Sequence, residues 1–72
     1  MKIKIFPANW EVFHDDGVLL INTDYINSDV YDSIDEVYED IIEKIEINLG
    51  SLSEDDKKEV RTYCDIDFSS RF

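Results

Sequence analysis

The sequence predicts an α+β fold: a three-stranded antiparallel β-meander followed by two α-helices packed on one face of the sheet. Three observations lead to it. The first third of the chain alternates apolar and polar residues, Asp16-Gly17 is a hairpin signal, and a long apolar stripe at helical spacing follows Ser33. Hydrophobic residues are 43% of the 72, enough for a core and too many for a disordered chain. We expect one domain, residues 1–72.

Three strands are predicted at the start of the chain. Residues 2–6 alternate apolar and polar side chains, and residues 10–14 are rich in aromatic and β-branched side chains. Asp16-Gly17 is a favoured two-residue loop, because both central positions of that turn need a positive φ. Residues 18–23 then form the third strand.

The register of this hairpin decides which side chains enter the core. A loop at Asp16-Gly17 places Phe13 opposite Leu20. By the same register, His14 faces Leu19, Val12 faces Ile21 and Trp10 faces Thr23. Val12, Ile21, Leu19 and Trp10 share one face, which we assign to the core. Phe13 and Leu20 fall on the other face, which is either covered by the chain or a small apolar contact patch.

Ser33 marks the start of the most regular helical pattern, after an irregular lead-in. Ser33 and Glu36 match a capping box, in which each side chain satisfies a free backbone N–H. Gly50 is typical of a helix C-terminus. Apolar residues between them form one stripe: Ile34, Val37, Tyr38, Ile41, Ile42, Ile45 and Leu49.

A second, shorter helix is predicted after Gly50. Ser51 or Ser53 is its expected cap, and Glu54–Lys58 is a favourable i,i+4 pair. Its buried side is formed by Val60, Tyr63 and Cys64. The tail, residues 65–72, alternates acidic and apolar residues, which allows a brief closing strand.

The chain is strongly acidic. Seven basic residues against 18 acidic ones give a formal charge of -11. This charge repels nucleic acid and anionic lipid, so we expect the chain to bind neither directly, and its natural complement is a basic protein surface. The single cysteine predicts no internal disulfide, and no long apolar run indicates a signal peptide or membrane span, so the expected compartment is the cytoplasm.

Most of this charge lies in residues 29–48, here named the acidic segment. Eight acids against Lys44 give it a net charge of -7. We predict that these acids bind the partner: Asp29, Asp32, Asp35, Glu36, Glu39, Asp40, Glu43 and Glu46. Six of them, over twelve helical residues, give one charge per roughly 3 Å of axis, comparable with roughly 3.4 Å per phosphate along a DNA strand. A merely solvated helix face remains an alternative, although it normally mixes charges, and salt adaptation is a second.

No catalytic or metal-binding constellation is recognisable in the sequence. His14 is the only histidine, and it has no identifiable nucleophile as a partner. Cys64 is expected to be a small core residue. The acids around Asp15-Asp16-Gly17 lack the ligand spacing of a calcium loop. We expect a protein that is not an enzyme and that uses no cofactor and no metal.

In size, in its acidic segment on an α+β frame and in its lack of catalytic residues, the chain resembles small phage-encoded anti-CRISPR inhibitors. The resemblance is one of character, with no shared motif. It implies a monomeric nucleic-acid mimic, acting in the host cytoplasm, that blocks the surface where a CRISPR effector reads the PAM or admits target DNA. In type I systems that surface lies on the large subunit of the surveillance complex.

Two other functions fit the same features. A barstar-like immunity protein or antitoxin, which neutralises a cognate nuclease, is also small, acidic and α+β. A structural protein could instead form oligomers through Phe13 and Leu20, with the acids serving solubility. The expected partner in the leading hypothesis is a basic nucleic-acid-binding protein.

Overall fold

The computed structural model describes all 72 residues and confirms the α+β fold. The sheet has the order β1-β2-β3 and is antiparallel throughout. Its strands are β1 (Lys2–Phe6), β2 (Asn9–His14) and β3 (Gly17–Asn22). Two helices follow, α1 (Ile34–Leu49) and α2 (Glu54–Phe68), and a 3₁₀ turn over Ser69–Arg71 ends the chain.

The β2–β3 hairpin differs from the prediction by two residues. Its loop is Asp15-Asp16, because His14 pairs with Gly17. Only Asp15 has a positive φ, 51°, so the turn does not need a glycine at position 17. A Cβ at position 17 would lie 2.6 Å from Leu49 Cδ2, so a larger residue there would require the Leu49 side chain to move.

This shift changes every cross-strand partner and leaves the faces unchanged, since side chains alternate with a period of two. Trp10 pairs with Ile21 rather than Thr23, and Phe13 pairs with Val18 rather than Leu20. Val12 pairs with Leu19 rather than Ile21. Trp10, Val12 and Ile21 are buried and Leu19 packs against them, as predicted.

One part of the core lies between the sheet and α2. Trp10 is fully buried, stacks on Phe68 with ring centroids 5.2 Å apart, and meets Tyr63 edge to face. Its indole Nε1 donates to Asp67 Oδ2 at 2.8 Å. One tryptophan thereby joins β2 to the last turn of α2.

Helix α1 packs the predicted stripe against this core. Val37, Ile41 and Ile45 are buried, and Ile34, Tyr38, Ile42 and Leu49 pack around them. At its start Ser33 Oγ accepts the N–H of Glu36, while Glu36 Oε2 accepts the N–H of Asp32 rather than that of Ser33. One of the two capping-box hydrogen bonds therefore forms as predicted, and the other is made to the backbone N–H one residue earlier. Gly50 ends α1 with φ 98°.

Helix α2 is longer than the sequence predicts. It is capped by Ser53, and Glu54 pairs with Lys57 at 3.7 Å instead of with Lys58. It continues to Phe68, so the tail is helical and not a closing strand. The reason is that Phe68, two turns after Val60, completes the buried stripe of α2 against Trp10.

The connection between β3 and α1 is held by two buried side chains and by Arg71. Ile26 is buried, and Tyr31 is 7% exposed. From the other end of the chain, Arg71 pairs with Asp67 at 3.5 Å and donates to the backbone carbonyls of Thr23 and Ile26. The connection is therefore held by the core and by the C-terminus.

The outer face of the sheet has no helix over it. Leu20 is 65% exposed, Val18 is also exposed and Phe13 is half-buried. The Lys4 ammonium lies 5.5 Å from the centre of the Phe13 ring. Leu20 is therefore not covered by the chain, which was one of the two outcomes left open for this face. Neither α1 nor α2 has the length and apolar composition that a membrane crossing requires.

Candidate acidic interaction surface

Glu39 and Glu43 are the unpartnered carboxylates at the middle of α1. Both are exposed, because they fall on the side of the helix opposite the buried stripe. No lysine, arginine or histidine lies within ion-pair distance of either one. Their charges are therefore available to a partner.

Asp35 also lies on this surface, but its charge is answered within the chain. Arg61 of α2 donates to its carboxylate and also pairs with Asp65 at 3.3 Å. The hydrogen bond to Asp35 raises the pKa of Arg61, and its guanidinium lies 5.7 Å from the centre of the Tyr38 ring. Asp35 thus helps to join α1 to α2.

Asp40 has turned away from the row, towards the connection before α1. It is half-buried and accepts the hydroxyl of Tyr31 at 2.8 Å. Burial, together with this carboxylate, raises the pKa of Tyr31, so its hydroxyl remains a donor. Asp40, one of the predicted partner-binding acids, therefore also forms a hydrogen bond within the fold.

The only lysine of the acidic segment is also occupied. Lys44 Nζ donates to the hydroxyl of Tyr25 at 2.7 Å and lies 5.4 Å from the centre of its ring. This hydrogen bond lowers the pKa of Tyr25. Lys44 is therefore directed to the connection and away from Glu39 and Glu43.

The remaining predicted acids have mixed roles. Glu46 is half-buried and accepts the N–H of Leu52 at 3.1 Å, which stabilises the turn between the helices. Glu36 accepts from Asp32 at 3.1 Å at the helix start, so those two acids lie together. Asp29 is exposed in the preceding turn, and no hydrogen bond or ion pair joins its side chain to the others.

These contacts reduce the number of free carboxylates on α1. With Asp35 paired and Asp40 turned aside, the four remaining acids run from Glu36 to Glu46. Counted in the same way as the full row, four carboxylates over eleven residues at about 1.5 Å each give one carboxylate per roughly 4 Å of axis. This spacing is wider than the roughly 3.4 Å between phosphates of one DNA strand.

A groove of about 540 Å³ runs beside the free carboxylates, and we name it the α1 groove. Its apolar part is formed by Tyr38, Ile42 and Ile47. Its charged part is formed by Glu39, Glu43 and Glu46 of α1 and by Lys57 of α2. Lys57 is held by Glu54, so the carboxylates dominate the charge of the groove.

The sequence prediction found the acids of this groove and missed the part that Ile42 and Ile47 have in it. Ile47 carried the available signal, because it interrupts the polar arc of α1 instead of joining the buried stripe. Its residue surface is 75% exposed, the largest exposure among the large hydrophobic residues. Lys57 could not be placed in the groove without knowing how α2 packs on α1.

The other candidate residues lie elsewhere. His14 is at the end of β2, with Nε2 3.8 Å from Asp15 Oδ2. Cys64 is buried in α2, and burial raises the pKa of its thiol to about 12. No three histidine, cysteine, aspartate or glutamate side chains are grouped closely enough to hold a metal ion.

Comparison with protein-family models, curated proteins and solved structures finds no match for this chain. A functional assignment therefore has to come from the chemistry of its surface.

Proposed function

We propose that this protein is an inhibitor that occupies the basic nucleic-acid-binding surface of a host-defence protein, with a CRISPR effector as the first candidate. It acts by binding and carries out no reaction. The observation that supports this most directly is the pair Glu39 and Glu43, two exposed carboxylates on α1 that form no ion pair within the chain.

The charge of the whole molecule assists this mode of binding. A net charge of -11 on a chain of 72 residues repels nucleic acid and attracts a surface lined by lysine and arginine. Such attraction accelerates the encounter with the partner and weakens as salt is added. Binding at that surface excludes the nucleic acid by occupying the same basic side chains.

The same cations that would neutralise the surface are used for folding. Arg61 joins Asp35 to α2, Lys44 binds Tyr25, and Arg71 binds the connection before α1. A helix face serving only for solubility normally intermixes charges. The separation of signs here favours an interaction surface.

The test is competition with DNA. Purified CRISPR effectors are incubated with fluorescent target DNA, and the DNA retained is measured as this protein is added at 50 and 300 mM salt. We expect the protein to prevent DNA binding by an effector, and the double variant E39K/E43K to lose that inhibition at least tenfold.

A matched control separates the surface from net charge. D16K/D24K changes the charge by the same amount, at two exposed acids whose carboxylates form no hydrogen bond or ion pair, and it should inhibit as wild type does. Equal losses in both double variants would contradict the proposal. Unchanged DNA binding by effectors, together with tight binding to one nuclease toxin, would support the immunity-protein alternative.

A further inference from the structure

The α1 groove combines two chemistries that a simple charge mimic does not need. Ile47 and Ile42 give it an apolar wall, and Glu39, Glu43 and Glu46 give it a negative rim. Ile47 is 75% exposed although burying its side chain would be favourable. A partner that offered only cations would leave this apolar surface in water.

We propose that the α1 groove binds an amphipathic basic α-helix of the partner, with apolar side chains against Ile42 and Ile47 and with lysine or arginine against the carboxylates. This inference rests on the proposed function and specifies which part of the partner is bound. Charge complementarity selects a basic segment, and the apolar wall selects one with an apolar face.

The spacing of the carboxylates favours a helix. Glu39, Glu43 and Glu46 stand at i, i+4 and i+7, so they are separated along the axis by about 6 Å and then about 4.5 Å. A helix lying along α1 has the same rise, and basic residues at its own i, i+4 and i+7 positions meet all three. An extended strand rises about 3.3 Å per residue and places same-face residues about 6.6 Å apart, which fits the first interval and is about 2 Å too long for the second.

This mode of binding also accounts for the wide spacing of the free carboxylates. With one charge per roughly 4 Å, α1 carries somewhat fewer free charges per length than a DNA strand, which has one per roughly 3.4 Å. Apolar contact at Ile47 supplies affinity that does not depend on salt, whereas the ion pairs supply orientation and fast association.

The experiment uses two fluorescein-labelled peptides of identical composition. In one, leucines and lysines are arranged to give a helix with one apolar face flanked by bases; in the other, the same residues are redistributed so that no apolar face forms. Binding to the full-length protein is measured by fluorescence anisotropy at 50 and 300 mM salt. We expect the amphipathic peptide to bind at least tenfold more tightly at both salt concentrations, because the apolar contact is not screened by salt.

Two serine variants test the wall of the groove. I47S should weaken binding of the amphipathic peptide about tenfold, the size expected for losing one buried isoleucine contact. I66S is the matched control, since Ile66 is 66% exposed on α2 outside the groove, and it should bind as wild type does. Both side chains are exposed, so both variants should melt as wild type.

The outcomes separate this inference from the proposed function. Equal binding of the two peptides, no binding of the amphipathic one, or an unchanged affinity in I47S would overturn the helix inference. If E39K/E43K still loses inhibition of DNA binding in that case, the acidic surface retains its proposed function. If E39K/E43K inhibits normally as well, both are refuted.

Discussion

Asp40 offers the sharpest test of how the acids of α1 divide between folding and binding. Its carboxylate accepts the hydroxyl of Tyr31 at 2.8 Å, and Tyr31 is 7% exposed. Replacing Asp40 by alanine leaves that hydroxyl without its acceptor in a largely buried place. Glu43, one turn further along the same helix, makes no such contact.

The size of the effect follows from this geometry. Hydrogen bonds to charged groups contribute roughly 1.5–3 kcal/mol, and the half-buried Asp40 belongs at the lower end, about 1.5 kcal/mol. For a domain of this length that is a fall in Tm of roughly 6–12 °C. E43A should change the free energy of unfolding by less than about 0.5 kcal/mol.

The assay is urea denaturation of D40A, Y31F, the double variant and E43A at pH 7. If the bond acts as described, the two single losses are not additive, and the coupling between them is about 1 kcal/mol or more. D40N keeps an acceptor oxygen and should lose less stability than D40A. Additive losses, or a D40A as stable as E43A, would refute the assignment of Asp40 to folding.

Two further predictions concern the backbone and the buried thiol. Gly50 has φ 98° and ψ 176°, a region open almost only to glycine, while a Cβ there meets nothing within 4 Å. G50A should therefore lose about 1–3 kcal/mol through backbone strain alone, and a urea midpoint equal to that of wild type would contradict this. Burial raises the pKa of Cys64 from 9.0 to about 12, so a thiol reagent at pH 8 should modify it only after unfolding. Because the folded pKa is the higher one, the stability that this thiol contributes is complete below about pH 9 and falls as the pH rises towards 12. Reaction of the native protein as fast as the unfolded one would show that the thiol is accessible.

Local patterns in the sequence determined most of the fold. The alternation in residues 2–6 and the stripe from Ile34 to Leu49 each specify one element and its buried face, because periodicity depends only on neighbouring residues. The inward face of β2 was predicted correctly despite a two-residue error in the hairpin register, because a shift of two residues leaves each side chain on the same face. The prediction of a strand for the tail was wrong. The alternation of the tail is compatible with a strand, and only the packing of Phe68 against Trp10 favours the helix.

The sequence by itself also determined that negative charge is concentrated in residues 29–48, because charge is a property of composition. Tertiary structure alone decided which of those charges are free. Arg61 reaches Asp35 from 26 residues away, and Tyr31 reaches Asp40 across the start of α1. It also placed Lys57 beside Ile42 and Ile47 to form the α1 groove. Such pairings depend on how α2 and the connection pack against α1, and no local pattern encodes those distances.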